Sequence, residues 1–288
     1  MPDISIDQDT CIGCGACAAL CTGQVFERRE HAIAVTNPSG CIACGHCVAA
    51  CPVDAIAHER LSLKDCPTVD TLPELSVLVN IFRARRSIRI YKNQAVPRET
   101  IRQLIDIARW APSASNTQQV DWLVFDDPTR IKALSDQIVA LFGRAARWLR
   151  FPLLKPLWTL VLGRRAKNLE RWARTMEQQH MQGQDPILFG APVLLVAHTR
   201  KGAPFSRDDA IYAAYNLMLA AQQMGLGACQ IGFFMVALGF SRKLGQMLGL
   251  PKHRRAQVVL VLGYGRYPFR RALPRRQPEI TWNTERIG

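Results

Sequence analysis

Residues 11–21 read CIGCGACAALC, and residues 41–51 read CIACGHCVAAC with Pro52 directly after them. Both stretches have the cysteine spacing C-x2-C-x2-C-x3-C. This spacing lets a tight loop direct three thiolates at one iron–sulfur cube, while the fourth thiolate must come from elsewhere. The residues between the cysteines are small, so backbone N–H groups can approach the sulfides. The spacing therefore predicts two [4Fe–4S] clusters.

Residues 1–60 resemble a bacterial two-cluster ferredoxin, including an internal repeat in which VFERREHAIAV and DAIAHE follow the two cysteine runs. One departure is Thr22, which stands where the second run has Pro52. In such ferredoxins each run takes its fourth ligand from the other run. The resemblance therefore implies two ligand sets: Cys11, Cys14, Cys17 and Cys51 for one cluster, and Cys41, Cys44, Cys47 and Cys21 for the other.

Two other uses of these cysteines fit the sequence less well. A disulfide framework requires an oxidising compartment, but the chain opens MPDISID, without the charged and apolar regions of an export signal. Structural zinc is the stronger alternative, although zinc sites usually pair two C-x2-C elements rather than placing three such cysteines in one run. We therefore expect a cytoplasmic iron–sulfur protein, in which Cys66, outside both runs, is a spare thiol.

The 288-residue chain is long for a single ferredoxin, and the 222 residues after residue 66 are enough for one well-buried domain. A content of 48% hydrophobic and 21% charged residues is typical of a globular protein. Residues 1–66 carry a formal charge of −4, which leaves +18 for the remainder. A basic domain can bind nucleic acid, an anionic membrane or acidic partners. Because no nucleic-acid-binding pattern accompanies the charge, we predict no nucleic-acid partner.

We expect a ferredoxin domain at 1–66, a linker and leading helix at 67–82, and a second domain at 83–288. The second domain opens with FRARRSIRIYK, where four arginines surround Ser87. Such a cluster can be a solvated basic turn before a helix. Alternatively, several guanidinium groups beside a hydroxyl form a fork-shaped receptor for phosphate.

A helix is predicted at 97–110, because Pro97 lies in its first turn and apolar residues recur at helical spacing. The polar loop SASNTQQ follows it and leads into a strand centred on 122–125. Serine and asparagine offer hydrogen-bond donors and acceptors without bulk. Such a loop is suited to the polar edge of a flat heterocycle.

The sequence R-R-S-I-R-x-Y, followed by A-P-S-A-S-N-T-Q and an apolar strand, resembles the opening of the FMN-dependent nitroreductase family. One departure from the family pattern is Gln119-Val120, where Gln-Pro-Trp is common. The resemblance implies an α+β fold with a central mixed sheet flanked by helices, and a homodimer. It also implies FMN contacts from two groups of residues: Arg85, Arg86, Ser87 and Arg89 at the phosphate and ribityl chain, and Pro112, Ser113, Ala114 and Asn116 at the ring.

Residues 128–180 are the part least similar to the family, and a helical insertion is predicted at about 140–180. Within it, residues 151–163 read FPLLKPLWTLVLG, which is too short to span a bilayer core of about 20 residues. Three roles remain for this segment: a lid over the site, a dimer contact or a peripheral membrane contact. Its two prolines favour the first two, because they interrupt a long amphipathic helix.

The C-terminal part predicts a buried strand at 193–197, a long helix capped by Ser206 that ends near Gly225, and a central strand at 256–265. The family resemblance places Gln230, Ile231 and Gly232 beside flavin N5, where a backbone N–H can tune the ring. Cys229 is expected to be a packed thiol rather than a nucleophile.

The proline-broken, basic tail RYPFRRALPRRQPEITW resembles family tails that extend across the partner subunit. This resemblance makes Arg275 and Arg276 the candidates for a further contact with the FMN phosphate. No histidine is paired with an acid or serine at a catalytic spacing, and we expect all six histidines to be structural.

The two halves together predict an oxidoreductase in which [4Fe–4S] clusters pass electrons to FMN, and FMN reduces an organic acceptor. A nitroaromatic, a quinone or an activated alkene is the acceptor that the family implies, with NAD(P)H or reduced ferredoxin as donor. An alternative is an electron-transfer adaptor that docks an acidic redox partner and turns over little substrate itself. A dehalogenating or flavin-consuming activity is a third option.

Overall fold

A computed structural model describes residues 2–30, 32–69, 71–150 and 164–282, and of the side chains at 148–150, 164–167 and 169–170 nothing is stated. The cysteine-rich part folds twice through the order of cysteine loop, short helix and strand. Its elements are β1 (Ile4–Ile6), α1 (Ala16–Leu20), β2 (Phe26–Arg29), β3 (Ala32–Val35), α2 (His46–Ala50) and β4 (Ile56–His58). β1 pairs with β4, and β2 pairs with β3, both antiparallel.

We call residues 11–17 the first cysteine loop and residues 41–47 the second cysteine loop. Each loop turns through the left-handed backbone region just before its helix, at Gly15 (φ 80°) and Gly45 (φ 79°). Glycine suits these positions because it has no Cβ to clash there. The helices and strands enclose a small apolar core that includes the fully buried Val25 and Ile33.

A helix, α3 (Leu75–Ala84), leads into the second domain and buries none of its own residues. Several large apolar side chains on α3 are instead exposed, including Leu75 at 73% and Phe82 at 46%. The chain then runs along the edge of the main sheet, with Ser87 forming a parallel bridge to Ala228. α3 therefore presents an apolar surface within this single chain.

The second domain is a four-stranded sheet with helices on both faces. Its helices are α4 (Arg98–Ala108), α5 (Pro128–Arg150), α6 (Arg164–Met181), α7 (Ser206–Gln223), α8 (Gly232–Phe240) and α9 (Arg242–Leu248), and its strands are β5 (Asp121–Phe125), β6 (Val193–Arg200), β7 (Gly227–Gln230) and β8 (Arg254–Gly263). The strand order is β5-β6-β8-β7, with antiparallel neighbours. The predicted α+β fold class is confirmed, and the parallel component of the sheet is the bridge to Ala228.

The two central strands are buried on both faces, which explains their unbroken apolar sequences. In β6, Val193 and Leu195 face the core that contains α4 and α7, whereas Leu194 and Val196 face the core that contains α5, α8 and α9. All four are at most 1% exposed. Burying a side chain of this size stabilises the fold by roughly 1.5–3 kcal/mol.

The predicted helices and strands of this domain are present, with small shifts at their ends. One expectation was wrong in detail: the residue before α7 is Phe205, which adopts φ 53°, and Ser206 is the first helical residue. Its hydroxyl donates to the Ala203 carbonyl at 2.5 Å instead of capping an N–H group. The Ser206 hydroxyl, predicted to cap α7, therefore forms its hydrogen bond with the turn that precedes the helix.

The region predicted as a helical insertion, about 140–180, contains the end of α5 and most of α6, which pack against each other, and its being an insertion stays a prediction. Residues 151–163, for which three roles were open, lie outside the described residues. Within the described part of the chain, no helix combines the length and apolarity needed to cross a membrane.

Candidate functional site

The eight cysteines of the two runs gather into two groups, each drawing on both runs. One cavity is lined by Cys11, Cys14, Cys17 and Cys51. In the other group, the thiol of Cys47 lies near those of Cys44, Cys21 and Cys41. The chain thus brings together the same two sets that the ferredoxin resemblance implied, and both sets have the soft thiolate donors that an iron–sulfur cluster requires.

Two of these eight thiols, those of Cys17 and Cys47, have a raised pKa and lose their protons less readily than an ordinary thiol. Burial raises the pKa of the Cys47 thiol to about 11, and burial also raises the pKa of Cys17. Because a ligand must be the thiolate, loading these groups with iron releases protons.

Backbone N–H groups point at several of the sulfur atoms. Val25 N–H donates to Cys21 Sγ at 3.4 Å, and Ala55 N–H donates to Cys51 Sγ at 3.3 Å. The two bonds occupy equivalent places in the thirty-residue repeat. Such bonds stabilise negative charge on a ligand sulfur and influence the reduction potential of a cluster.

Cys41 has a hydrogen-bond partner that the sequence did not indicate. Its Sγ accepts from Ala43 N–H at 3.3 Å and lies 3.4 Å from His58 Nε2. The other ring nitrogen of His58, Nδ1, accepts from Arg60 N–H at 3.0 Å. In the neutral ring the proton is therefore on Nε2, which donates to the sulfur. The expectation that every histidine is purely structural did not include this contact.

The predicted phosphate receptor lies at the edge of the sheet, next to β7. Ile88 N–H donates to the Ala228 carbonyl at 3.1 Å, which fixes the arginine-rich segment beside the strand. Ser87 and Arg89 reach the thiol of Cys229. Burial raises the pKa of Cys229, and the nearby Arg89 charge only partly opposes this effect. This buried thiol is consistent with packing rather than with nucleophilic chemistry.

The Arg86 guanidinium binds backbone carbonyls of the protein itself. It donates to the carbonyls of Arg83 and Arg85 at 2.7 Å and to that of Arg271 at 2.9 Å. Its Nε is buried and has no partner among the described residues. Arg85 and Arg86 also line an open cleft of about 560 Å³. A buried, unpartnered N–H group beside cationic side chains fits an anionic ligand such as a phosphate.

The predicted N5 contacts lie where β7 passes into α8. Ile231 is buried, whereas Gln230 and Gly232 are exposed, and a Cβ at Gly232 would meet nothing within 4 Å. The first turn of α8 has N–H groups without helical acceptors. The structure therefore brings 85–89 and 230–232 to one edge of the sheet, although these segments are far apart in sequence.

An aromatic cluster lies directly after Gly232. The ring of Phe233 stacks on Trp172 with centroids 3.9 Å apart, and Phe142 meets both rings edge-on. Because Phe142 is on α5 and Trp172 is on α6, this pair of helices reaches this end of the sheet. Phe233 is 46% exposed, so the cluster also offers a flat apolar face to solvent.

The predicted ring-contacting loop, residues 112–116, is held by a buried carboxylate on α7. Asp209, 3% exposed, accepts from Ala114 N–H at 3.0 Å and from Gln119 Nε2 at 3.1 Å. The loop has positive φ angles at Ser115 (49°) and Asn116 (51°). The left-handed conformation is unfavourable for serine and better tolerated by asparagine, so tertiary contacts are needed mainly to maintain the loop shape at Ser115.

Asn116 links this loop to the cysteine domain. Its Nδ2 donates to the Ala43 carbonyl, within the second cysteine loop, at 2.6 Å. The hydrogen bonds of the 112–116 loop thus lead to Asp209 and Ala43, not to the arginine cluster. Eight FMN contacts were predicted from the first half of this domain. Within one chain they lie in two separate places, four in the arginine cluster and four in the 112–116 loop.

The C-terminal tail runs back over the arginine cluster of its own chain up to Arg271, where the Arg86 bond is made. Arg275 and Arg276, four and five residues farther on, are exposed.

Two residues that contact these sites, Asp209 and His58, were not selected from the sequence. Asp209 lies in the first turn of α7, where an acidic residue is common and does not by itself indicate a binding role. Its role depends on a loop more than ninety residues away, which spacing does not reveal.

Comparisons with known proteins agree with this two-part architecture. Residues 82–265, more than half of the chain, match the model of the nitroreductase family, and residues 3–52 match the model of a 4Fe-4S dicluster domain. An iodotyrosine deiodinase of Thermotoga neapolitana is 26% identical over 210 residues, covering 73% of this chain and all of that protein. A 4-nitrobenzoate reductase of Nocardioides sp. is 28% identical over 226 residues, covering 72% and 89%.

Among solved structures, a nitroreductase with bound FMN from Desulfitobacterium hafniense has a TM-score of 0.52 at 17% identity, covering 71% of this chain and 97% of that one. At this identity the similarity shows a shared fold. Together, the matched family models, the sheet edge with its arginines and the paired cysteine groups establish that this chain belongs to the nitroreductase family and carries a 4Fe-4S dicluster domain ahead of its nitroreductase domain.

Proposed function

We propose that this protein is an iron–sulfur flavoprotein oxidoreductase that passes electrons from two [4Fe–4S] clusters to FMN and on to an organic acceptor. The observation that carries the proposal is the hydrogen bond from Asn116 to the Ala43 carbonyl. It joins a cysteine loop to the loop that the family resemblance assigns to the flavin ring. A cluster ligand set and a predicted ring site are thus neighbours, as an electron relay requires.

The cysteine groups described above are the proposed cluster ligands. Cys11, Cys14, Cys17 and Cys51 would hold one cluster, and Cys41, Cys44, Cys47 and Cys21 the other. When bound, the clusters supply single electrons and FMN supplies two-electron chemistry toward the acceptor. The chain contributes position, charge and exclusion of water rather than an acid–base residue.

The proposed FMN contacts follow from the two clusters of residues at the sheet edge and on the polar loop. Arg85, Arg89 and the unpartnered Nε of Arg86 would receive the phosphate. Ser87 would bind the ribityl chain, and the backbone at 230–232 would face the ring. Arg275 and Arg276 remain candidates for a phosphate contact from the tail.

A homodimer accounts for the separation of the 112–116 loop from the arginine cluster, because the loop of one chain can complete the site of the other. The exposed apolar residues of α3, such as Leu75, and of the tail, such as Trp282 at 81%, are suited to an interface of this kind. Light scattering tests this part: a monomer that retains FMN would contradict the shared site.

A flat, aromatic or conjugated acceptor suits the stacked pair Trp172–Phe233 beside the predicted N5 position. A nitroaromatic, a quinone or an activated alkene has this shape. Reductive dehalogenation of an aromatic substrate is a second candidate, favoured by the similarity over the full length of the Thermotoga neapolitana deiodinase. NAD(P)H or reduced ferredoxin is the proposed donor, and the basic second domain is suited to an acidic protein donor.

The test begins with protein purified anaerobically, for which we expect about eight irons per chain in two clusters, together with one FMN. NADH, NADPH and reduced ferredoxin are then added in turn, and the cluster and flavin absorption bands are followed separately. Reduced protein is finally offered a nitroaromatic, a quinone, an activated alkene and a halogenated phenol, with product analysis. FMN without acid-labile sulfide would overturn the relay, and fast electron transfer to carriers without turnover of any substrate would favour the adaptor.

A further inference from the structure

The two cysteine loops are equivalent in the thirty-residue repeat, but one of them touches the second domain. Within the described residues, the bond from Asn116 to Ala43 is the hydrogen bond that connects the two domains. Ala43 is 5% exposed, whereas its equivalent in the first loop, Gly13, is only partly buried. Likewise Cys44 is partly buried, whereas its equivalent Cys14 is exposed. The second domain therefore covers the second loop at Ala43, whereas Cys14 of the first loop is open to solvent; deeper in the loops the order reverses, because Cys17 is buried and its equivalent Cys47 is partly buried.

The backbone is left-handed at both residues of this contact. Ala43 has φ 51°, where the first loop has Gly13 with φ 65°. The left-handed region costs a residue with a Cβ about 1–2 kcal/mol. The conformation presents the Ala43 carbonyl to Asn116. Because Gly13 adopts the same region, the left-handed turn belongs to both cysteine loops, and only the second loop places a residue with a Cβ there.

The surroundings of the ligands also differ between the loops. His58, 7% exposed, lies with Nε2 3.4 Å from Cys41 Sγ in the second group. Its equivalent in the repeat is Arg28, an exposed residue whose side chain lies against Gly15 of the first loop. A buried N–H donor to a thiolate stabilises the reduced, more negative state of a cluster. An exposed guanidinium has a weaker effect because solvent and salt screen its charge.

From these contacts we infer that the second cysteine loop is the electron outlet of the ferredoxin domain, with Asn116 as the positioning residue at the junction and His58 as the residue that keeps the electron at this end. This inference rests on the proposed function. With both groups bound, each transfer would oxidise the iron–sulfur group at the second loop by one electron and reduce the flavin by one electron. No bond of the polypeptide would form or break, and protons for the flavin would come from solvent. Reduced ferredoxin, a one-electron donor, would restore the electron at the cluster, whereas NAD(P)H, a hydride donor, would reduce the flavin directly.

The first test measures the potentials of both clusters by EPR-monitored redox titration, without any substrate turnover. His58→Phe is expected to lower one cluster potential while the other stays unchanged, shifting the electron distribution between the clusters about tenfold, or about 59 mV for a one-electron couple. His58→Gln, which keeps an N–H donor, is expected to restore part of the shift. Arg28→Gln is the matched control and should change either potential by less. Equal shifts in both clusters, or a larger effect of Arg28→Gln, would overturn the role of His58.

The second test follows the flavin band after rapid photoreduction of the clusters, normalised to the FMN and iron content of each variant. Asn116→Ala is expected to slow cluster-to-flavin transfer at least tenfold with both cluster potentials unchanged. Gln118→Ala, an exposed position in the same loop, is the control and should transfer at the original rate. If Asn116→Ala keeps the original rate in fully loaded protein, the outlet is elsewhere. Absence of FMN or of clusters from the unaltered protein would instead refute the proposed function, so the two failures are distinguishable.

Discussion

The two cysteine loops have the same spacing and the same left-handed turn before a short helix, but they differ in what surrounds them. The first loop exposes Cys14 to solvent. The second loop is covered at Ala43 by the second domain and is flanked by the buried His58. One cysteine spacing can thus form two equivalent ligand sets, and the residues around each set then give the two sets different functions. Each of the following experiments tests whether this difference is real.

The largest effect is expected at Asp209, which holds the loop that receives the second cysteine loop. Asp209→Ala removes a buried acceptor of hydrogen bonds from Ala114 and Gln119. Since each bond to a charged group contributes about 1.5–3 kcal/mol, we expect a loss of roughly 3 kcal/mol or more in the free energy of unfolding. Urea unfolding measures this loss. Asp208→Ala is the matched control on the exposed side of the same helix turn, and an equal loss there would show that Asp209 has no special role.

A smaller effect is expected in the rate at which a chelator removes iron. The exposed first loop should release iron first, and the covered second loop should follow roughly tenfold more slowly, because opening it breaks a hydrogen bond of about 1–1.5 kcal/mol at Asn116. Iron release is followed by absorbance of the chelator complex. Asn116→Ala should accelerate the slow phase alone. A single phase in the unaltered protein would show that the two loops are equally accessible.

The smallest effect is expected from exchanging the residues at the left-handed position of each loop. Gly13→Ala should reduce the free energy of unfolding by about 1 kcal/mol, and Ala43→Gly should leave it unchanged or raise it by up to about 1 kcal/mol. Thermal unfolding of the cluster-loaded protein measures both changes. If Ala43→Gly instead destabilises the protein, the Cβ of Ala43 makes packing contacts that outweigh its backbone strain.

Much of this molecule could be predicted from local sequence. The cysteine spacing predicted the two loops, and the apolar run at 256–265 predicted a central strand. The sequence R-R-S-I-R-x-Y predicted a basic cluster, although not that Arg86 binds backbone carbonyls of its own chain. The cap assigned to Ser206 was wrong, because the carbonyl that takes its hydroxyl belongs to a preceding turn whose shape the residue type does not reveal.

The sequence by itself determined the features that depend on spacing along the chain: three thiolates from one tight loop, the periodicity of the helices and the burial of the central strands. Only the tertiary structure decided which loop meets the second domain, which carboxylate holds the polar loop and which histidine reaches Cys41. Asn116 and Ala43 are 73 residues apart, as the bond between them records. Their contact depends on how two folded units dock, and docking is set by the shape and charge of whole surfaces rather than by any pattern in neighbouring residues.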